Sequence, residues 1–215
     1  MAGFDPKVIE AFRRISTASV ADALWEMGIK AHMDHRMKPI APCKIVGPAV
    51  TVREEPTIEK LPPSHALELI DHADEGSVIV ISIDDLDVAC WGGLMTAGAV
   101  ANKLEGAVLA GGVRDVEEIL RDYQFPIFSC SVVPATTVGR YKTVASNIPV
   151  TVCGVTVNPG DLIVGDRDGV VVVPSSLIET VLQKAEEIEA REREQTRLIF
   201  ETGSLLEGLR KYQRI

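Results

Sequence analysis

Two pairs of glycines are the first residues in this chain whose type and position suit chemistry. Gly92-Gly93 and Gly111-Gly112 each stand where a predicted strand or loop passes into a predicted helix, which is where α/β sheets bind ligands. The backbone N–H groups of such a pair can approach an anion closely, and the positive end of the helix dipole lies behind them. The sequence therefore predicts an anion-binding site built from backbone amides.

Arg114 and Asp115 follow the second glycine pair after one residue. The planar guanidinium of an arginine can bind a carboxylate through two hydrogen bonds. A single aspartate supplies one hard oxygen ligand, which suits a Mg²⁺ ion that keeps most of its water molecules. The pair indicates a site for a small 2-oxo acid. The same residues allow a structural interpretation, in which Asp115 and Glu118 cap a helix and Arg114 lies on the surface.

Three aspartates follow the predicted strand Val78–Ile83 and lie close in sequence to Gly92-Gly93. They are Asp84, Asp85 and Asp87. The simpler interpretation is a solvated strand end, and the functional one is that they supply a carboxylate to the site.

Other polar clusters have simpler structural explanations. They are His32 and His35 in a proline-rich segment, Asp161, Asp166 and Asp168 in turns, and Glu192 and Glu194 in a charged helical run. The histidines have a spacing that could bind a metal, but no third ligand is visible. The aspartates lack the alternating pattern of a calcium loop and suit turns. The glutamates are typical of a solvated helix face.

The composition argues against several classes of partner. The 215 residues include 31 acidic and 22 basic side chains, for a formal net charge of −9. This balance argues against a nucleic-acid surface, which needs clustered Lys and Arg. No apolar run approaches the roughly 18 residues of a spanning helix. Met1–Glu10 carries no apolar signal segment. We therefore expect no membrane partner and a cytoplasmic location.

The four cysteines stand far apart, at Cys43, Cys90, Cys130 and Cys153, and none forms a C-x-x-C pair. Zinc knuckles and thioredoxin-type redox chemistry are therefore not expected. The pattern predicts buried free thiols in a reducing compartment.

The elements that must position these residues alternate between helices and strands. The predicted helices are Pro6–Met27 (divided at Ser16 or Thr17, the N-cap of its second part), Ser64–Ala73, Gly92–Glu105, Val116–Tyr123 and one or two helices within Ser175–Arg210. The predicted strands are Lys44–Arg53, Val78–Ile83 and Ala107–Ala110, followed by short strands between Ile127 and Pro174. Lys44–Arg53 is expected to break at Gly47-Pro48, and Ala31–Pro42 to be a loop.

This order of elements predicts the architecture. Strand, helix, strand, helix implies parallel pairing with right-handed crossovers. The continuous β-branched run at Val78–Ile83 indicates a strand buried on both faces. We predict one α/β domain over residues 1–215, with a parallel βαβ core, a β-rich second half and a C-terminal helical tail.

Several motifs together resemble the RraA-like family. The central one is WGGLMTAGAVANKLEGAVLAGGVRDVEEI, and STASVADAL, GPAVTVR and VNPGDLIVGDRDGVVVVP support it. The resemblance covers residues 16 to about 205. The family includes class II 4-hydroxy-4-methyl-2-oxoglutarate / 4-carboxy-4-hydroxy-2-oxoadipate aldolases and the regulator of RNase E activity.

The resemblance implies a layered β/β/α fold and a lyase that needs Mg²⁺, Mn²⁺ or another divalent cation and releases pyruvate from a small 2-oxo acid. It implies that Arg114 binds the substrate carboxylate or enolate oxygen and that Asp115 orients the metal. The amides of Gly92, Gly93, Leu94 and Met95 would bind substrate. Homotrimers or hexamers with sites at subunit interfaces are implied too, with Glu192 or Glu194 reaching a neighbouring site.

The chain departs from the aldolase signature D-x20-R-D at one position. The first Asp, which helps to hold water on the metal, falls on Gly93. Retro-aldol cleavage must remove a proton from the C4 hydroxyl, whereas decarboxylation of oxaloacetate need not. We therefore expect decarboxylation to exceed aldol cleavage unless another carboxylate replaces the missing one.

A second function remains open, a protein-binding regulator that resembles the RNase E inhibitor. Arg114 and Asp115 favour the enzyme. A methyltransferase is not expected, because the chain has no glycine-rich adenosyl-binding loop followed by an acidic strand end. Release of pyruvate from oxaloacetate, with Mg²⁺ or with EDTA, would distinguish the enzyme from the regulator.

Overall fold

The computed structural model describes residues 4–41 and 44–212, so the prediction of a free thiol at Cys43 lies outside it. The helices are α1 Pro6–Arg14, α2 Thr17–Glu26, α3 Ser64–His72, α4 Gly93–Ala101, α5 Val116–Glu118, α6 Ile178–Thr202 and α7 Leu205–Tyr212. A π-helical stretch, Ile119–Tyr123, continues α5. The strands are β1 Lys38–Pro39, β2 Ile45–Pro56, β3 Val78–Ser82, β4 Ala89–Trp91, β5 Gly106–Val113, β6 Ile127–Val132, β7 Tyr141–Ser146, β8 Val150–Val152, β9 Val155–Val157, β10 Leu162–Asp166 and β11 Gly169–Val173.

One mixed sheet runs through the molecule in the order β1-β6-β5-β3-β2-β10-β11, with β4 added to β5 and β7 to β2. The pairs β2–β3, β3–β5 and β5–β6 are parallel, as the alternation of strands and helices predicts. The segment Ala31–Pro42, predicted as a loop, contributes the short strand β1, which pairs with β6.

Strand β3 is buried on both faces, which confirms the interpretation of its β-branched run. Ile79 and Ile81 pack against helices α3 and α4, while Val78 and Val80 pack against the β8–β9 hairpin on the opposite face. Alternate residues of a strand point to opposite faces, so a strand covered on both sides must be apolar throughout. The helices, the main sheet and the hairpin form the β/β/α layers that were expected.

Strand β2 continues through Gly47-Pro48, so the predicted break is wrong. Pro48 has no N–H to donate, but it pairs only with β10, because pairing with β3 begins one residue later at Ala49. A Cβ at Gly47 would lie 2.2 Å from the carbonyl oxygen of Gly76. The absence of a side chain at Gly47 therefore lets another backbone segment approach the strand.

Helices α1, α2 and α6 cover β10 and β11 through a third apolar cluster that includes Phe12, Leu24 and Ile188. Ser16 is the N-cap of α2, and its hydroxyl accepts a hydrogen bond from the N–H of Ser19, as predicted. The C-terminal tail forms two helices, α6 and α7, within the expected range. No helix in residues 4–41 and 44–212 is long and apolar enough to cross a membrane.

Candidate active site

The N-terminus of α4 carries the first half of the site. Gly92 is the N-cap and Gly93 the first helical residue. Thr96 fixes this turn, because its hydroxyl donates to the carbonyl of Gly92 at 3.0 Å and accepts from the indole N–H of buried Trp91 at 2.8 Å. The N–H groups of Leu94 and Met95 belong to the first turn, where a helix has no internal acceptors. These amides are available to an anion.

The end of β5 carries the second half. The N–H of Arg114 donates to the carbonyl of Trp91 at 3.0 Å, which joins the end of β5 to β4. Asp115 adopts a left-handed conformation with φ +60°, uncommon outside glycine. Its side chain does not cap α5. Instead, Oδ2 accepts a hydrogen bond from the N–H of Gly93 at 3.0 Å. The helix-cap interpretation of Asp115 is therefore wrong, and the two sequence motifs meet in space.

Gly111-Gly112 does not form an anion-binding turn, which corrects the prediction made for this pair. Both residues lie inside β5, which extends to Val113 rather than ending at Ala110. A Cβ at Gly111 would lie 2.5 Å from Ile83 Cγ2, and one at Gly112 would lie 2.6 Å from Val133 Cγ2. The pair lacks side chains because neighbouring segments pack tightly against the strand.

Arg114 and Asp115 line a cavity of about 280 Å³ together with Val132, Val133 and Pro134. Their side chains are 43% and 40% exposed, and Arg114 Nε lies 3.7 Å from Asp115 Oδ2. The guanidinium is thus close to the carboxylate and still accessible from solvent. A carboxylate ligand can reach Arg114 from this cavity.

The residues present fit a hydrated divalent cation rather than a multi-ligand cage. Asp115 Oδ2 is engaged by Gly93, while Oδ1 receives no hydrogen bond from the described residues. Within residues 4–41 and 44–212, no group of three His, Cys, Asp or Glu side chains could hold a metal ion. One hard carboxylate oxygen at an open cavity suits an ion such as Mg²⁺, which retains most of its water.

Glu118 is the residue at this site that sequence reasoning assigned only to helix capping. An ideal Cβ on Gly93 would lie 2.8 Å from Glu118 Oε1 and 2.9 Å from both Cδ and Oε2. In the sequence, only the position of Glu118 one helical turn after Asp115 pointed to this site. The direction of the Glu118 side chain depends on the fold. The Glu118 carboxylate therefore faces the start of α4.

A larger cavity of about 480 Å³ lies between α1 and β2, away from Arg114 and Asp115. Arg13 lines this cavity, and its guanidinium already binds Glu105 at 2.6 Å. The lining is mostly apolar, with Phe4, Ile9 and Val46 among its residues. We place the candidate site in the smaller cavity, because Arg114 there is accessible from solvent and Asp115 joins it to the start of α4.

The strand-end aspartates lie on a different cavity. Asp84 and Asp85 line a space of about 290 Å³ with Arg36 and Arg53. Arg53 lies 3.6 Å from Asp84, and Asp85 accepts a hydrogen bond from the N–H of Asp87. The atoms nearest to a side chain at Gly93 belong to Glu118 instead.

The turn aspartates have structural partners. Asp161 is buried and accepts hydrogen bonds from the N–H groups of Asn158 and Ser175. Asp166 binds the N–H and hydroxyl of Thr17 at the start of α2. Those hydrogen bonds offset the burial of Asp166, and the pKa of its carboxyl lies below the ordinary value. The interpretation of these aspartates as turn residues is confirmed, because Asp161 also binds within its own turn and Asp166 accepts from the N–H of Asp168.

The remaining candidates stay apart from the cavity of Arg114 and Asp115. His32 lines a separate groove with Thr17 and Asp168, and His35 is exposed. Glu192 is exposed on α6, and Glu194 accepts a hydrogen bond from the hydroxyl of Tyr212 at 3.1 Å. Their predicted approach to a neighbouring subunit's site stays a prediction.

Two features escaped the sequence interpretation. Glu54 is 2% exposed and neither carboxylate oxygen has a hydrogen-bond partner. Burial raises the pKa of Glu54 to about 7.

Cys130 and Cys153, distant in sequence, have Sγ atoms 3.0 Å apart. Cys90, Cys130 and Cys153 are free thiols, as predicted, although Cys130 is only half-buried.

Comparisons with known proteins identify the family of this chain. The sequence profile of the RraA-like family, described as Aldolase/RraA, matches residues 17–172. The chain belongs to this family. Protein DlpA of Legionella pneumophila is 34% identical over 209 residues, which are 96% of this chain and 34% of DlpA. The chain thus spans about a third of that relative's length.

A protein of Halalkalibacterium halodurans, provisionally named a 4-hydroxy-4-methyl-2-oxoglutarate aldolase, is 35% identical over 194 residues, covering 86% of this chain and 87% of the relative. Among solved structures, an uncharacterized protein from Pseudomonas syringae superposes with a TM-score of 0.88 at 31% identity, covering 97% and 95% of the two chains. Streptomyces coelicolor RraAS2, described as an unusual member of the RNase ES inhibitor RraA family, gives a TM-score of 0.79 at 26% identity, covering 90% and 97%.

Proposed function

We propose that this protein is a divalent-metal-dependent C–C lyase that acts on small 2-oxo acids and releases pyruvate. The observation that carries the proposal is the hydrogen bond from Gly93 to Asp115, which joins the start of α4 to the residue that lines an open cavity with Arg114. The name of the Halalkalibacterium halodurans relative supports the aldolase reaction.

Each residue has a distinct role in this proposal. The Arg114 guanidinium binds the substrate carboxylate through two hydrogen bonds, and the amides of Leu94 and Met95 orient the same anion, while that of Gly93 holds Asp115. Asp115 would hold Mg²⁺, Mn²⁺ or another divalent cation. When bound, that cation supplies a Lewis acid that withdraws electron density from the 2-oxo group.

The chemistry breaks one C–C bond and leaves the electron pair on pyruvate enolate. In oxaloacetate the bond to C4 breaks and CO₂ leaves. In 4-hydroxy-4-methyl-2-oxoglutarate the bond between C3 and C4 breaks after the C4 hydroxyl loses its proton, and a second pyruvate leaves. Arg114 stabilises the negative charge that develops on the enolate oxygen.

We propose further that the chain assembles as a homotrimer or hexamer with the cavity near a subunit boundary. Leu94 and Val132, which flank the site, are 90% and 58% exposed. Apolar side chains exposed at this level beside a cavity favour coverage by another subunit.

A second candidate is a protein-binding regulator, because RraAS2 is described as an RNase ES inhibitor family member. The absence of a carboxylate at Gly93 fits a protein that has lost part of a catalytic set. The accessible Arg114 and Asp115 favour the lyase.

The experiment that tests the proposal measures pyruvate release from oxaloacetate and from 4-hydroxy-4-methyl-2-oxoglutarate. Reactions contain the purified protein with Mg²⁺, with Mn²⁺ or with EDTA, against a blank that contains the same metal without protein. We expect metal-dependent release above the blank. No release above the blank with either substrate would reject the lyase and leave the regulator.

A further inference from the structure

The space in which a side chain at position 93 would begin is occupied by the carboxylate of Glu118. The three atoms nearest to an ideal Cβ at Gly93 are Oε1, Cδ and Oε2 of Glu118, at 2.8–2.9 Å. An aspartate at position 93 would project its carboxylate from the same point. The chain therefore lacks a carboxylate on residue 93 and has one beside it.

The backbone on both sides of Glu118 is fixed by hydrogen bonds and by burial of the next residue. Glu118 is the last residue of α5, and the next residue, Ile119, is fully buried. The N–H of Ile119 donates to the carbonyl of Asp115 at 3.0 Å, and that of Gln124 closes the π-helical turn on the carbonyl of Ile119. Asp115 and Glu118 are thus joined through one short helical segment, and π-helical turns are frequent at functional sites.

The Glu118 carboxylate has lone pairs free to accept a proton. Within the described ranges, no residue donates a hydrogen bond to it and no cation forms an ion pair with it. Arg121 interacts electrostatically with Glu118, but its guanidinium is bound to Asp122. Free acceptor capacity is what a general base requires, and the Glu118 carboxylate has it beside Gly93.

We propose that Glu118 takes the role of the carboxylate missing from Gly93 and is the base for retro-aldol cleavage. Glu118 accepts the proton of the C4 hydroxyl, directly or through one water molecule. The C3–C4 bond then breaks, C4 becomes the carbonyl carbon of one pyruvate, and the electron pair passes to the enolate of the other. The proton returns to C3 of the enolate, so atoms and charge balance without an oxidant or reductant. This inference rests on the proposed lyase function.

A purely structural role for Glu118 makes a different prediction. A carboxylate at the start of α4 would stabilise the helix dipole, and its loss would affect both reactions equally through stability. A base is needed for aldol cleavage and not for decarboxylation. The ratio of the two activities therefore separates the roles.

The first test compares Glu118→Gln with Glu117→Gln, which removes the same charge from the neighbouring exposed residue. We expect Glu118→Gln to lower kcat for 4-hydroxy-4-methyl-2-oxoglutarate on the order of 100-fold, the typical contribution of a general base. We expect decarboxylation of oxaloacetate to change by less than about twofold, since that step needs no base. Glu117→Gln should leave both rates unchanged.

The second test moves the carboxylate. Gly93→Asp alone should lower stability and activity, because the new side chain meets a like charge within 2.9 Å. Combined with Glu118→Ala, the same substitution places an aspartate in the vacated space. We expect aldol cleavage by the double variant to be at least roughly tenfold faster than by Glu118→Ala.

A third measurement does not depend on activity. Gly93→Ala should change the melting temperature more favourably in the Glu118→Ala background than in the wild type, because only in the wild type must the Glu118 carboxylate move away from the new Cβ. Equal shifts in both backgrounds would show that Glu118 does not occupy this space, and the inference would be rejected.

The outcomes separate the inference from the function on which it rests. If the wild type releases pyruvate from neither substrate, the lyase is wrong and the role of Glu118 falls with it. If the wild type is active and Glu118→Gln lowers both reactions in parallel, or neither, only the role of Glu118 is wrong.

Discussion

The backbone N–H of Gly93 donates a hydrogen bond to Asp115 Oδ2 at 3.0 Å. This contact joins Gly93, the first residue of α4, to Asp115, which lies two residues after the end of β5. It orients the Asp115 carboxylate without using both of its oxygens. The start of α4 consequently lies beside the residue that lines the cavity with the Arg114 guanidinium.

Asp115→Asn should abolish metal-dependent activity and preserve the fold. The amide oxygen of Asn can still accept the Gly93 N–H, and Asn tolerates the left-handed φ of +60° better than most residues. We expect the free energy of unfolding to stay within about 0.5 kcal/mol of the wild type. Pyruvate release and urea unfolding measure the two effects.

Asp115→Ala is the companion variant, since it loses both the hydrogen bond and the tolerance for positive φ. Its free energy of unfolding should fall by about 1–3 kcal/mol. Retention of metal-dependent activity in folded Asp115→Asn would remove Asp115 from the metal site.

Arg114→Lys keeps the positive charge but loses the planar guanidinium that binds a carboxylate through two hydrogen bonds. We expect kcat/KM for oxaloacetate to fall by at least about tenfold, equivalent to ~1.4 kcal/mol of transition-state stabilisation. Arg121→Lys is a matched control, because Arg121 pairs with Asp122 on the surface. A near wild-type value for Arg114→Lys would exclude Arg114 from substrate binding.

Glu54→Gln should stabilise the protein at alkaline pH and have little effect near pH 5. Burial raises the pKa of Glu54 from 4.5 in the unfolded chain to about 7 in the folded one. As far as Glu54 sets it, the free energy of unfolding of the wild type is at its full value below pH 4.5. It falls as the pH rises to about 7. Above that pH the wild type carries a buried unpaired charge that costs roughly 3 kcal/mol.

Urea unfolding of the wild type and Glu54→Gln from pH 5 to pH 8 measures this dependence. Glu55→Gln, at the next and exposed residue, is the control and should show no such trend. A stability difference between wild type and Glu54→Gln that does not change with pH would contradict the prediction.

Cys130 should react with iodoacetamide faster than Cys90 in the folded protein. The hydrogen bond from the neighbouring thiol of Cys153, together with Arg36, lowers the pKa of Cys130, whereas complete burial raises the pKa of Cys90. Thiolates are the reactive form, so we expect a difference on the order of tenfold at pH 7.5. Peptide mapping by mass spectrometry identifies the labelled residue, and Cys153→Ala, which removes the donor, should reduce the labelling rate at Cys130. Equal labelling of Cys90 and Cys130 would contradict the prediction.

The local patterns were sufficient for most elements. The β-branched run at Val78–Ile83 predicted a strand buried on both faces, and Ser16 predicted the start of α2, because both depend on short-range periodicity and capping. Gly92-Gly93 and Arg114-Asp115 could be selected by chemical type alone. The family followed from the motifs that contain them.

The break predicted at Gly47-Pro48 and the turn predicted at Gly111-Gly112 failed for one shared reason. Glycine and proline mark turns when only the local chain is considered. In both places the deciding contact comes from another segment, the Gly76 carbonyl in one case and the side chains of Ile83 and Val133 in the other. A glycine required by close packing has the same sequence signature as one required by a turn.

The sequence by itself determined most of the strands and helices, the family and the Arg114–Asp115 pair, because these depend on residue type and on neighbours along the chain. Only the tertiary structure decided that Asp115 binds Gly93 rather than its own helix, that Glu118 faces Gly93, and that Cys130 meets Cys153. Each of these relationships depends on the direction of a side chain after distant segments have packed together. Spacing along a single sequence carries no information about that direction.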